Sequence, residues 1–304
     1  MAVPHTRGFT LIGAGAVAST LAAAFLQQGW RMLGVFGRTA ESHRAEALRL
    51  EHDLGAAPLD AACQASELVV IAVPDGQIGL VVGDLAATEV EWKSRTVFHT
   101  SGALSSEVLE PLRQAGAVTA AVHPLQSFPG PAQPAALVDA FVTVEGDAAA
   151  GRLARELFGA AGAQVVQVTR EDKVAVHAAA SVISNFTVTI AALAREILQT
   201  TRLGERELVG MLQPLLEGTV ANIRERGPDR ALTGPVVRGD IETVTRHVQL
   251  LTERAPHLLT VYVAIATETV RIARRTARLS SADAMEILDR VIEALPVPPA
   301  EGGD

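Results

Sequence analysis

Gly13-Ala-Gly15-Ala-Val-Ala18 has the spacing G-x-G-x-x-A, directly behind the apolar run Phe9–Ile12 and ahead of a helical pattern. At that spacing the first glycine permits a tight turn, the second admits a pyrophosphate to the backbone, and the small third residue lets helix and strand pack closely. A helix opening at Ala16 and Val17 then turns free N–H groups and the positive end of its dipole toward the phosphates. Gly13, Gly15, Ala16 and Val17 are the expected pyrophosphate contacts. After the second strand comes Phe36-Gly37-Arg38-Thr39, where a site for unphosphorylated ribose carries a carboxylate. Arg38 instead offers a guanidinium fork to a 2′-phosphate and Thr39 a hydroxyl, so the expected dinucleotide is NADP(H). A surface arginine at a strand end is the plainer alternative.

Ligands of open α/β sheets lie beyond the carboxyl ends of the strands. Those places hold Val73-Pro74-Asp75-Gly76, Thr100-Ser101-Gly102 and His123-Pro124-Leu-Gln126-Ser127-Phe128. Val73, Pro74, Thr100 and Ser101 are expected along the cofactor. His123 is expected either to donate to a substrate carboxylate or carbonyl or to anchor its loop, which Pro129, Pro131 and Pro134 stiffen. Further on, Lys173, His177, Ser181, Ser184 and Asn185 recur near the helical period. At about 100° per residue, Lys173, His177 and Ser184 fall within about 40° of one another. Polar groups on such an apolar helix need partners when buried, so either neighbouring helices satisfy them or this face binds substrate. Lys173, His177 and Asn185 are the catalytic candidates, and Ser184 is a substrate contact. In Leu232-Thr-Gly-Pro235-Val-Val-Arg238-Gly-Asp240, Arg238 is a candidate clamp for an anion. Asp240 is a further substrate candidate, although it also stands where a helix N-cap belongs. The eight histidines lack metal-ligand spacing and no metal is expected. There is no G-x-S-x-G string for a hydrolase.

These residues require two kinds of scaffold. Strands are expected at Phe9–Ile12, Met32–Phe36, Leu68–Val73, Thr96–His99, Thr119–Val122, Phe141–Glu145 and Val165–Val168, alternating with helices at Val17–Gln28, Ala40–Leu50, Gln77–Leu85, Ser105–Ala115 and Ala148–Gly159. That alternation predicts an α/β fold, a doubly wound, mostly parallel Rossmann sheet over residues 1–168. Strand patterns then stop. Helices are expected at Asp172–Gln199, Glu205–Arg224 (interrupted at Pro214), Asp240–Leu251, Pro256–Ala277 and Ala282–Leu295, an all-α domain over residues 169–295. Residues 296–304 are expected to form a frayed tail.

A formal charge of −8 and a pI near 5.5 argue against nucleic acid as the main partner. The basic cluster Arg271–Arg278 reads as a solvated face. The single cysteine, Cys63, excludes an internal disulfide framework and fits a reducing compartment. With a polar N-terminus, a cytoplasmic location is expected. Between Lys173 and Arg195 run 21 residues without a charge, long enough to span a bilayer. The six polar side chains among them, from His177 to Thr189, favour a buried helix or dimer core over a membrane span.

Together, Gly13–Ala18, Ala72-Val-Pro-Asp75, His99-Thr-Ser-Gly102, His123–Phe128, Lys173…His177…Ser184-Asn185 and Leu232–Asp240 resemble, over nearly the whole chain, an uncharacterised bacterial family: Rossmann-like proteins with a C-terminal helical domain of unknown function. That family is similar to the 6-phosphogluconate dehydrogenase-like superfamily, which includes ketopantoate reductase, pyrroline-5-carboxylate reductase and β-hydroxyacid dehydrogenases. The resemblance implies NADP(H) and a homodimer formed through the helical domain. It also implies a proton-donating lysine opening the first helix after the sheet, with an asparagine one turn on. Lys173 stands where that lysine would. One turn on, however, is His177, and the nearest asparagine, Asn185, is about three turns along. The small-residue loop of pyrroline-5-carboxylate reductase has no counterpart here. The expectation is an NADP(H)-dependent oxidoreductase acting on a small anionic carbonyl compound, a 2-oxo acid such as ketopantoate. The alternative is a non-catalytic NADP-binding sensor or scaffold.

Overall fold

Alternation of side chains along β-branched runs decides the architecture. In the computed structural model, which describes residues 7–37, 42–55 and 57–295, the run Leu68-Val-Val-Ile71 is wholly buried. Leu68 and Val70 join one apolar core with Phe9, Leu11, Phe25, Phe98 and Phe158, while Val69 and Ile71 join a second with Ile12, Ile78, Trp92 and Val97. Such a strand needs helices on both faces of its sheet. The described strands are β1 (Gly8–Ile12), β2 (Arg31–Phe36), β3 (Leu68–Ile71), β4 (Thr96–His99), β5 (Val118–Leu125), β6 (Phe141–Gly146) and β7 (Gln164–Gln167). They pair in the order β2-β1-β3-β4-β5-β6-β7, parallel throughout except that β6 runs against β5. Helices α1 (Ala16–Gln27), α2 (His43–Glu51), α3 (Leu59–Ala65), α4 (Asp75–Ala86), α5 (Glu110–Gln114), α6 (Ala148–Ala160) and α7 (Arg170–Ile183) accompany the sheet. Residues of α1, α2 and α6 fill the first core, and those of α3, α4 and α5 the second. The strand order reverses between β1 and β3, and the turn after β1 therefore opens the crevice where an α/β sheet takes its ligand.

Contacts divide the chain into two compact units, 1–184 and 185–304. The second unit is helical: α8 (Asn185–Gln199), α9 (Glu205–Arg226), α10 (Pro228–Ala231), α11 (Ile241–Arg254), α12 (Leu259–Arg275) and α13 (Ser281–Glu293). Its core is a stripe at steps of three and four residues on each of three helices: Val244, Val248 and Leu251 on α11, Val263, Ala266 and Val270 on α12, and Ala284, Ile287 and Val291 on α13. On the cationic stretch Arg271 pairs with Glu268, Arg274 donates to the Leu279 carbonyl, and Arg275 pairs with Asp229. By contrast α8 buries none of its residues, and Phe186, Val188 and Ile190 on it lie exposed, as do Met211, Leu215 and Val220 on α9.

Several boundaries differ from the sequence reading. The fifth strand runs on through His123 and Pro124 to Leu125, because β6 supplies an antiparallel ladder on one side. β4 ends at His99 opposite Ala121, so beyond it the other edge of β5 has no ladder and Pro124 fits. The stiff loop therefore starts after Leu125. Helix α3 was not foreseen: Leu-Asp-Ala-Ala-Cys-Gln-Ala is too short to display a period. The expected helix 172–199 is two helices, with a break at Ser184 (φ −99°, ψ −73°). Pro214 does not interrupt α9, where the proline and Gly210, whose carbonyl loses its partner, are both exposed to water. Pro256 opens a short 3₁₀ turn ahead of α12.

Two glycines of the first turn separate packing from binding. At Gly13 (φ +118°) a Cβ would lie 2.1 Å from the Ala72 carbonyl oxygen, whereas at Gly15 it would meet nothing within 4 Å. Gly13→Ala is expected to cost at least about 2 kcal/mol in urea unfolding. Gly15→Ala should stay within about 0.5 kcal/mol of the parent. Equal losses would contradict this geometry.

Candidate active site

The turn after β1 is built to receive an anion. Gly13 donates its N–H to the Phe36 carbonyl (2.7 Å), which holds the turn across the ends of β1 and β2. Gly15 is the N-cap of α1 in extended geometry (φ −82°, ψ −174°), and no side chain caps the helix. The first N–H groups of α1, those of Ala16 and Val17 among them, have no helical acceptor, and the space where a Gly15 side chain would stand is open. This uncapped helix end fits a dinucleotide pyrophosphate. Two hydroxyls of α1 tie down the loop after β5: Ser19 Oγ accepts from Ala132 N and Thr20 Oγ1 from Gln133 N, both at 3.0 Å. Val73 and Pro74 lie at the end of β3, with Pro74 as N-cap of α4 and Asp75 in that helix's first turn. Arg38 and Thr39, expected at the 2′-phosphate, fall outside the described residues.

At the ends of the neighbouring strands a lysine is buried. Lys173, in the first turn and a half of α7, is 2% exposed, and its Nζ donates to the Ser101 carbonyl (2.7 Å). Helix α7 begins where it does because the Thr169 side chain accepts from Asp172 N. The acceptor loop is held from several directions. Ser101 N donates to His99 Nδ1 (3.2 Å), and Ser101 Oγ accepts from Ala103 N and Leu104 N. His123 Nδ1 lies 3.1 Å from the Thr100 carbonyl. Burial pulls Lys173 from 10.5 down to about 8, against the opposing pull of the carboxylates of Glu145 and Asp75. Glu145 is itself held by Ser106, through its N–H (2.6 Å) and its hydroxyl (2.8 Å). The sequence reading missed Glu145, whose register opposite Ala121, itself opposite His99, sets it level with the end of β4. It also missed Asp75's electrostatic part.

Hydrogen bonds assign the histidine protons. His99 is fully buried, accepts at Nδ1 and donates from Nε2 to the Ser105 carbonyl (3.1 Å), and burial takes it down to about 4. It is a neutral brace. His123 must donate from Nδ1, because the Thr100 carbonyl only accepts; burial, above all, lowers its pKa too, and Nε2 is left with a lone pair. The bond to Thr100 is the anchoring alternative of the sequence reading, and in this tautomer Nε2 accepts rather than donates. His177, one turn after Lys173, meets His123 edge to face (5.5 Å, 78°), and its Nδ1 is buried without a partner.

The structure thus brings together Lys173, His177, His123, Thr100 and Ser101 in the first unit. Ser184, exposed, ends α7. Asn185, Arg238 and Asp240 belong to the second unit, where Asn185 opens α8, exposed. Asp240 spends both oxygens on Thr243 (3.1 and 2.8 Å), the plain N-cap role. His247 Nδ1 faces the Tyr262 hydroxyl (3.0 Å). Arg238 is exposed and, among the described residues, forms no ion pair or hydrogen bond through its side chain.

The His99 brace implies a pH dependence of stability. Its folded pKa, about 4, lies below the ordinary 6.5, so the unfolded chain takes up the proton first and stability is lost as pH falls through that window. His99→Phe should flatten the slope of unfolding free energy against pH between those values by up to about 1.4 kcal/mol per unit. An unchanged slope would exclude His99 as its source.

Residues 4–124 match the Rossmann-like domain family, and residues 140–269 match a domain of unknown function, DUF2520. No curated protein matches the chain. Among solved structures, a Bacteroides fragilis protein provisionally named an NADP oxidoreductase superposes with a TM-score of 0.72 at 23% identity, covering 87% of this chain and 98% of its own. A Thermotoga maritima protein gives 0.66 at 24% identity, covering 88% and 99%. An imine reductase from Myxococcus stipitatus in complex with NADP⁺ gives 0.61 at 20% identity, covering 94% and 100%. These likenesses bear on the fold, and the two family matches name its parts: the chain is a Rossmann-like domain followed by a DUF2520 domain.

Proposed function

We propose that the protein is an NADP(H)-dependent oxidoreductase that reduces a small carbonyl compound, with Lys173 as proton donor. The observation that carries this reading is a buried ammonium, brought to about 8 and fixed on the Ser101 carbonyl, in the same unit as an uncapped glycine turn. An acid whose pKa lies near the working pH is the effective kind. The names of the Bacteroides and Myxococcus proteins support the cofactor assignment, with Arg38 and Thr39 as its 2′-phosphate partners. The reduced cofactor, when bound, supplies a hydride to the carbonyl carbon. Lys173 donates a hydrogen bond to the carbonyl oxygen and transfers its proton as negative charge develops there, leaving an alcohol and a neutral amine still held by Ser101. The negative charges of Glu145 and Asp75 keep enough ammonium present at neutral pH. We favour an anionic 2-oxo acid of the ketopantoate kind, with Ser184 as a candidate partner of its carboxylate, and a cytoplasmic setting in which Cys63 stays reduced.

We further infer that a second copy of the chain covers the exposed apolar faces of α8 and α9. Residues 170–199 include one stretch long and apolar enough to cross a membrane, with a mean hydropathy of 1.6, but the break at Ser184 and the polar side chains along it suit a protein partner better. Sedimentation should give a dimer that Leu215→Asp dissociates. A monomeric parent protein would remove the inference.

The catalytic reading is tested by NADPH consumption with a panel of 2-oxo acids, run beside NADH. Lys173→Ala should lower kcat at least about 10²-fold with NADPH affinity nearly unchanged. Because the acid must carry its proton, kcat/KM for reduction should be level below pH 8 and fall above it. NADPH binding without turnover across the panel would favour a sensor.

A further inference from the structure

Three observations meet at Gly102. His123 donates from Nδ1 to the Thr100 carbonyl and so presents a lone pair at Nε2. His177 Nδ1 is buried and has no partner. Both atoms converge on one spot: a Cβ at Gly102 would lie 2.8 Å from Nε2 of His123 and 2.3 Å from Nδ1 of His177. The two nitrogens are therefore less than two hydrogen-bond lengths apart, close enough for one oxygen to reach both. They do not satisfy each other, since His177 Nδ1 has no hydrogen-bond partner. Lys173, one turn earlier on the same face of α7, is already engaged with Ser101, so the orphaned Nδ1 of His177 and the free Nε2 of His123 make a second polar feature beside it.

We propose that His123 and His177 form a hydroxyl-recognition site, and that the substrate is a carbonyl compound bearing a hydroxyl group. The substrate O–H donates to Nε2 of His123 while its oxygen accepts from Nδ1–H of His177. A hydroxyl is the group that does both. A carboxylate has no proton for His123, and an ammonium has no lone pair for His177. An apolar substituent leaves both nitrogens desolvated and unpaired, which is the costly outcome in a buried site. Gly102 belongs to the device: any side chain there would displace both imidazoles. The proposal rests on the reductase reading for its substrate class, and it extends that reading by selecting among carbonyl compounds.

The experiment uses NADPH-loaded protein and three matched pairs that differ by one hydroxyl: ketopantoate with trimethylpyruvate, hydroxypyruvate with pyruvate, and glycolaldehyde with acetaldehyde. Binding is measured by calorimetry and turnover by kcat/KM. In at least one pair the hydroxylated member should be favoured by about 10²-fold or more, as for sites that hydrogen-bond a substrate hydroxyl. His123→Phe and His177→Phe should each bring that ratio toward one. Should those variants fail to fold, nitrogen-15 NMR of the parent protein reads the same point directly, with Nε2 of His123 unprotonated at neutral pH. A protonated Nε2, no preference in any pair, or binding of none of the six overturns the proposal. Preferential binding without turnover leaves it standing and removes the reductase reading. Equal turnover of both members does the reverse.

Discussion

The hydrogen bond from Lys173 Nζ to the Ser101 carbonyl places an ammonium group where water barely reaches. The depressed lysine pKa means that the fold holds this charge at a cost, present in full below about 8 and lost as the pH rises from there to the ordinary 10.5. The surroundings are arranged to bear that cost. His99 ties the amide of Ser101 from below, His123 ties the carbonyl of Thr100 from the side, and the Ser101 hydroxyl closes the turn that follows. Each bond fixes a carbonyl or amide that would otherwise be free to rotate away from the lysine. A loop of three small residues thereby acquires the rigidity of the sheet beneath it.

Neutral histidines are part of the same economy. A cation beside Lys173 would raise the energy of the ammonium: His99 cannot become one without losing the bond its Nδ1 accepts, and burial holds the pKa of His123 down. The positive charge of Lys173 in turn helps keep both imidazoles unprotonated. The net result is a single ammonium on Lys173 that burial weakens and the carboxylates of Glu145 and Asp75 support.

Much of this was legible in the sequence, for reasons that differ by element. The strands announce themselves because β-branched runs such as Leu68–Ile71 must be buried on both faces, and the glycine turn because its spacing serves a single geometry. The face of α7 was legible because Lys173 and His177 are one helical turn apart. What was hidden depends on contacts far apart in the chain. The partner of Lys173 is 72 residues away, and the partner of Glu145 is 39. Nothing local at His123 reveals which ring nitrogen bears the proton; that follows from a carbonyl 23 residues earlier. The reach of β5 past Val122 was hidden because Pro124 looks like the end of a strand unless the antiparallel neighbour is known.

That reach has a mechanical meaning. From Val122 to Leu125 the strand projects beyond its parallel neighbour, supported along one edge only, by a strand that β7 backs in turn. It is a cantilever, and His123 rides on it. Its stiffness comes from β6 and β7, the part of the sheet farthest from the glycine turn. A change in the packing of those outer strands would therefore retune the position of His123 while leaving the first turn intact.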